Sequence, residues 1–266
     1  MTLPAVQDLL ARMQDFASPW LLALDVDGTL APIALEANKA TIPVPCQADL
    51  RRLAACADLH LALITGRDAA ALERLIDLPA AWRATEHGRV LARPGERPNS
   101  AAICPDAAAR LAAFGTWART HLAGRGAVLE EKAQALAVHV RALAARDAGA
   151  AAAVLDQAAT AGRQHGLHPR AGRAVCELEL QPGDKGAALS HIADALQVGP
   201  RLVYAGDDLT DLPAIRVATA RGGIGVFVRS AERADAPTEA SLCLDGPTAV
   251  HAWVQALAER CAAGTH

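Results

Sequence analysis

Apolar and polar positions along this chain follow two different patterns in turn. Residues 20–25 form a short apolar run in which Leu21-Leu22-Ala23-Leu24 leads directly into Asp25-Val26-Asp27-Gly28-Thr29. Four apolar residues bounded by turn chemistry predict a buried parallel strand. Gln47–Ala57 has amphipathic helical spacing, and His60–Ile64 predicts a second buried strand, ended by Thr65-Gly66-Arg67-Asp68. A helix is expected around Asp68–Ile76. Strand–helix alternation of this kind marks a parallel α/β sheet. Arg93–Ser100, with its prolines and glycine, then reads as a turn or linker.

Past that segment the pattern changes. Pro105–Leu122 predicts a helix, and Ala127–Glu131 with Ala135–Arg141 predicts a two-stranded hairpin. Ala148–His165 is an alanine-rich helix without proline, and residues 167–171 and 174–181 read as two further strands. Helix, two strands, helix, two strands describes a compact α+β unit with an antiparallel sheet. The first pattern resumes with a helix over Lys185–Leu196 and a strand over Arg201–Ala205 that runs into Gly206-Asp207-Asp208. Strands over Gly222–Val228 and Ser241–Leu244 and a closing helix over Thr248–Arg260 complete it. The predicted fold is therefore α/β: a doubly wound parallel-sheet, Rossmann-like core over 1–93 and 183–266, interrupted by an inserted α+β cap over 94–182.

Composition narrows the function classes. The 266 residues are 52% hydrophobic, which is enough to build a core and excludes general disorder. A net charge of −3 gives no electrostatic case for a nucleic-acid or membrane-surface partner. Cys46, Cys56, Cys104, Cys176, Cys243 and Cys261 are scattered, without a C-x-x-C pair, which favours reduced thiols over a disulfide framework or zinc site. Asp8, Arg12 and Asp15 interrupt the N-terminal apolar residues, unlike a signal peptide. The expectation is a soluble, cytoplasmic protein with a small-molecule substrate; oligomeric state is left open.

Ligand sites in open parallel sheets form beyond the carboxyl ends of the strands. Three predicted strands end there in polar groups: Asp25 with Asp27, Thr65-Gly66, and Asp207-Asp208 with Asp211, while Lys185 opens a helix. Side chains alternate along a strand, so Asp25 and Asp27 are expected on one side, where two carboxylates need a cation or shared proton. Oxygen donors of this kind suit Mg²⁺. The inventory fits phosphoryl transfer, whose protein work is positioning and charge neutralisation. In that chemistry Asp25 attacks phosphorus, Asp27 handles the proton, and Asp25 and Asp207 with a backbone carbonyl at Asp27 hold the metal. Thr65 and Gly66 hold phosphate oxygens, and Lys185 neutralises charge. Each piece alone also has a plain reading: a turn at 25–29, a helix cap at Thr65-Gly66, a solvated Lys185, and an N-capped turn at 207–211.

Asp25-Val26-Asp27-Gly28-Thr29, Thr65-Gly66, Lys185 and Gly206-Asp207-Asp208 match, in order, the four motifs of the haloacid dehalogenase superfamily. Within it, the extended first motif through Ile33, Thr65-Gly66-Arg67, His87-Gly88 and Gly206–Asp211 resemble the trehalose-6-phosphate phosphatases. Leu129-Glu130-Glu131-Lys132 followed by His139-Val140-Arg141 resembles that family's L-E-x-K and H-Y-R segments. The resemblance implies a Mg²⁺-dependent hydrolase of trehalose 6-phosphate. It adds Arg67, His87 and Gly88 to the substrate site and makes Glu130, Lys132, His139 and Arg141 cap-side sugar contacts. A later family glutamate aligns with either Glu177 or Glu179, and the offset to Pro182 favours Glu179. Departures fall at Thr85 and Val90, where the family has glycine and glutamate, at Val140 for tyrosine, and at Leu212 for glutamate. They bear on the choice of sugar rather than on hydrolysis. Phosphatase action on another sugar phosphate and sugar phosphotransferase or mutase activity are the alternatives. Without the resemblance, the polar cap strands also read as a solvated sheet face.

Overall fold

The computed structural model describes residues 3–14, 19–34, 39–99, 103–132, 134–231 and 233–263. Asp15 and Ser100, used in the sequence reading, lie outside the described residues. The chain divides into two compact units, one of Met1–Asn99 with Asp184–His266 and one of Ser100–Gly183.

The first unit is built on a seven-stranded sheet. In chain order its strands are β1 (Trp20–Leu24), β2 (Leu59–Ile64), β3 (Trp82–Thr85), β4 (Val90–Ala92), β9 (Leu202–Gly206), β10 (Ile224–Arg229) and β11 (Leu242–Asp245). They lie in the order β11-β10-β9-β1-β2-β3-β4. All neighbours are parallel except β3 and β4. From β1 the chain builds outward through β2 on one side and later through β9 on the other, so order reverses between β1 and β9. That is the switch point at which open α/β sheets bind ligands.

Helices cover both faces, as the doubly wound reading requires. Leu22 and Leu24 of β1 pack into a core shared with α1 (Pro4–Arg12), α2 (Val44–Ala54), α3 (Ala69–Leu75) and α9 (Gly246–Ala263). Leu21 and Ala23 point the other way, into a core with α7 (Lys185–Leu196) and α8 (Leu212–Ala220). Alternate residues of one buried strand thus serve two cores. Helix α2 begins earlier than its periodicity suggests because Pro45 occupies its first turn, where the missing N–H costs nothing.

The second unit carries an antiparallel sheet in the order β5-β6-β8-β7. The strands are β5 (Val128–Glu131), β6 (Ala135–His139), β7 (His168–Gly172) and β8 (Val175–Glu179). Leu136, Val138, Cys176 and Leu178 share one face and pack with Phe114 and Ala118 of α4 (Pro105–His121) and Val154 and Ala158 of α6 (Ala148–Gln164). The hairpin strand expected to reach Arg141 stops at His139. Val140 leaves the extended region (φ −128°, ψ 20°), and Arg141 starts the short helix α5 (Arg141–Ala144), closed by Ala144 N–H to Val140 C=O at 2.7 Å. No helix among the described residues is long and apolar enough to cross a membrane.

Candidate active site

The site sits at the carboxyl ends of β1, β2 and β9. Leu24 pairs with Leu63 and with Ala205, and the Asp25 N–H donates to the Ala205 carbonyl at 2.9 Å. The three polar clusters of the sequence therefore emerge side by side. Strand β1 ends at Leu24, one residue short of the expectation, so Asp25 and Asp27 lie just beyond it. A tight turn follows, closed by the Gly28 N–H donating to the Ala31 carbonyl at 2.7 Å. Gly28 has φ +87°, and a Cβ there would stand 2.0 Å from Asp207 Oδ2. Only glycine lets this turn carry the first motif against the fourth.

Asp25, Asp207 and Asp211 are buried, with oxygens within 4.8 Å of one another. Lys185, the first residue of α7, is buried among them and donates to Asp25 Oδ1 at 2.6 Å and to Asp211 Oδ1 at 2.7 Å. Asp184 caps that helix by accepting from Gly186 N–H at 2.8 Å, which aims the lysine inward. The plain reading of Lys185 as a solvated surface lysine is thereby excluded. Burial by itself disfavours its ammonium, but the Asp211 and Asp25 carboxylates reverse this and hold its pKa above the usual lysine range. Asp25 moves up from the carboxylate range, mainly through burial and then through repulsion by Asp211, with Lys185 opposing. One ammonium facing three carboxylates leaves two net negative charges when all are ionised.

Asp211 is saturated. Its Oδ1 accepts from Lys185 and from the Tyr204 hydroxyl at 2.5 Å, and its Oδ2 accepts from the Asp207 N–H at 3.0 Å and the Asp208 N–H at 2.9 Å. It braces the site. Asp25 and Asp207 remain to offer oxygens to a cation, and an all-carboxylate donor set short of two positive charges fits a hard divalent ion. Tyr204, the chain's one tyrosine, had no signal beyond its place in an apolar run. Asp208 pairs with Arg233 at 2.8 Å, a partner sequence reading also missed.

Thr65 is buried at the end of β2, and its Oγ1 accepts from the Arg67 N–H at 3.1 Å. The cap of α3 is Asp68, which accepts from Ala71 N–H at 2.7 Å, so Thr65-Gly66 is not the helix cap. Arg67 forms a bidentate pair with Asp27, at 2.7 and 2.6 Å. The His87 imidazole lies on Gly66, where a Cβ would fall 2.5 Å from its Cε1.

In the second unit, strand register puts Glu130 and His139 with Glu177, Glu179 and Arg170 on the face opposite the apolar core. Lys132, just beyond β5, joins them through its ion pair with Glu177. Glu130 hydrogen-bonds His139 at 2.8 Å, which lowers its pKa, and Arg170 pairs with Glu179 at 3.1 Å. Glu177 and Glu179, two residues apart on one strand, share this face, so facing does not separate them. Arg141 is off the face, on α5, with its guanidinium 3.4 Å from the Arg173 carbonyl.

The trehalose-phosphatase family model matches residues 23–248. A trehalose-phosphate phosphatase of Mycobacterium ulcerans is 33% identical over 251 residues, covering 89% of this chain. The chain spans 60% of that relative's length. The C-terminal domain of Candida albicans trehalose-6-phosphate phosphatase superposes with a TM-score of 0.78 at 21% identity, covering 97% of both chains. A haloacid dehalogenase-like hydrolase from Bacteroides thetaiotaomicron has the same fold, with a TM-score of 0.63 at 17% identity over 91% of this chain and 99% of its own. The match, from the end of β1 to the start of the closing helix, shows that this chain belongs to the trehalose-phosphatase family.

Proposed function

We propose that this protein hydrolyses trehalose 6-phosphate to trehalose and phosphate through an aspartyl-phosphate on Asp25. The observation that carries the reading is the buried Asp25–Lys185–Asp211 chain beside Asp207 at the sheet's switch point. With Oδ1 of Asp25 bonded to Lys185, Oδ2 is the oxygen presented for attack. It forms a bond to phosphorus as the bond to the sugar oxygen breaks, and Asp27 gives that oxygen a proton. Asp27 then takes a proton from water, which attacks phosphorus and releases the Asp25 carboxylate with free phosphate. Thr65, Gly66 and Arg67 hold phosphate oxygens, and Lys185 balances the charge on Asp25. Asp25 and Asp207, with the Asp27 carbonyl, would hold Mg²⁺. When bound, the ion would offset the negative charge of the carboxylates and of the phosphate.

We assign sugar recognition to the polar face of the inserted unit through Glu130, Lys132, His139 and Glu179, with Arg141 nearby, and place His87 and Gly88 at the phosphate end. Lys132→Ala is expected to raise KM for trehalose 6-phosphate about tenfold or more, the worth of a charge-assisted hydrogen bond, while p-nitrophenyl phosphate turnover stays within about twofold. The reading as a whole is tested by phosphate release from phosphorylated disaccharides and monosaccharides, with Mg²⁺ and with chelator. Preference for trehalose 6-phosphate, lost on chelation, is the expected result. Equal or better release from another sugar phosphate would overturn the substrate, and a phosphorylated acceptor in place of free phosphate would overturn hydrolysis.

A further inference from the structure

One short segment of the first unit touches both elements to which the proposed function gives the phosphate. Glu86, His87 and Gly88 are three consecutive left-handed residues, with φ of +53°, +58° and +91°. On one side the Glu86 N–H donates to the Arg67 carbonyl and the His87 N–H to the Thr65 carbonyl, both at 2.8 Å, and the imidazole covers Gly66. On the other side Gly88 lies against the first turn of α7, where a Cβ would fall 2.6 Å from Ala188 Cβ and 2.8 Å from the Asp184 carbonyl oxygen. The segment is a wedge between Thr65-Gly66 and the helix that opens with Lys185.

Two consecutive non-glycine residues in the left-handed region persist only when their surroundings hold them there. What holds them is visible. The Glu86 carboxylate is buried and paired with the guanidinium of Arg89, three residues on, whose N–H also donates to the Glu86 carbonyl at 3.3 Å. A bond between residues 86 and 89 closes the loop on itself, with His87 at its crest. Breaking it leaves a buried charge and frees the backbone to relax toward right-handed angles.

We propose that the Glu86–Arg89 pair is a positioning device: it fixes the left-handed loop that seats His87 on Gly66 and sets the spacing between the Thr65-Gly66 phosphate seat and the Lys185 helix. Glu86 and Arg89 act through His87 and the loop backbone. The inference rests on the assignment of those two elements to phosphate.

The test compares the parent with Glu86→Gln, Glu86→Gly and Arg89→Lys, each in the full chain. Two quantities are read: the NMR signal of the His87 imidazole without ligand, assigned by its loss in His87→Gln, and competitive inhibition by inorganic phosphate of p-nitrophenyl phosphate turnover. Glu86→Gln is expected to shift or broaden the His87 signal and to weaken phosphate inhibition about tenfold, the scale of one lost hydrogen bond to a charged group. Glu86→Gly, which tolerates the backbone but lacks the pair, is expected to do the same. Arg89→Lys keeps the charge and should fall between these variants and the parent; it also serves if Glu86→Gln does not fold. An unchanged His87 signal together with phosphate inhibition within about twofold of the parent in both Glu86 variants would overturn the proposal. Absence of phosphatase turnover in the parent would instead overturn the functional reading, and the His87 signal would still decide the loop's role.

Discussion

Lys185→Met should abolish phosphate release and destabilise the fold together. The side chain keeps most of its length and an apolar stem but loses the cation that faces Asp25 and Asp211 in the buried cluster. Removing one partner of a buried ion pair leaves uncompensated charge, which costs roughly 3–5 kcal/mol. Turnover should fall by roughly 10³-fold, the scale for deleting a preorganised charge from an active site. The pH dependence of the stability loss follows from the direction of the Asp25 shift. A carboxyl whose folded pKa is raised binds its proton more tightly when folded, so stability falls as pH rises from the unfolded value through the folded one. Without the lysine that shift grows. The gap between variant and parent should therefore narrow as pH is lowered, which denaturant unfolding at several pH values would measure. A variant as stable as the parent at every pH would contradict the buried network.

Asp211→Asn should be nearly as damaging, although Asp211 touches no substrate in the proposed reaction. Its two oxygens accept four bonds, from Lys185, Tyr204 and the N–H groups of Asp207 and Asp208. An amide in its place puts an NH₂ against donors whichever way it is turned. A loss of about 3 kcal/mol or more is expected, since hydrogen bonds to a buried charge are worth more than neutral ones. The fourth-motif loop should loosen and kcat should drop with it. Metal affinity distinguishes this bracing role from ligation: it should fall less in Asp211→Asn than in Asp207→Asn, as measured by Mg²⁺ titration of activity. The reverse order would make Asp211 a ligand and Asp207 the brace.

The α/β core and the inserted α+β unit were legible because their decisive strands are uninterrupted apolar runs. β1, β2 and β9 are apolar but for His60 and Tyr204, and the carboxylates and hydroxyl that follow them stand out. Elements whose apolar run is short and interrupted, or that begin in turn chemistry, were not legible. β3 carries Arg83 inside the sheet, where its guanidinium reaches the Glu96 carbonyl and Glu73, and that charge breaks the apolar run that would announce a strand. β4 is three residues long, and α8 starts at Leu212-Pro213 directly after the fourth motif, where turn chemistry dominates the reading.

Partnerships in the site were hidden for a related reason. Asp27 and Arg67 are 40 residues apart, and Lys185 and Asp25 are 160 apart, so only the fold joins them. Arg170 lies in the segment that reads as a strand over 167–171, but its place opposite Glu177 comes from the pairing register, which the sequence does not carry. The family glutamate missing at Val90 has no replacement there, but a buried acid stands at Glu86 with its cation at Arg89. Local pattern finds an element; charge pairing across the sheet must be seen.

The central claim is that Asp25 carries the phosphoryl group. It is tested most directly by quenching the enzyme in acid while it turns over trehalose 6-phosphate labelled at phosphorus, then locating the label by peptide mapping. The aspartyl-phosphate mechanism predicts a hydroxylamine-labile phosphate on the peptide containing Asp25. It also predicts no label in Asp25→Asn, whose phosphate release falls by on the order of 10⁴-fold or more while the protein stays folded. Label on another residue, or undiminished phosphate release by Asp25→Asn, would contradict it.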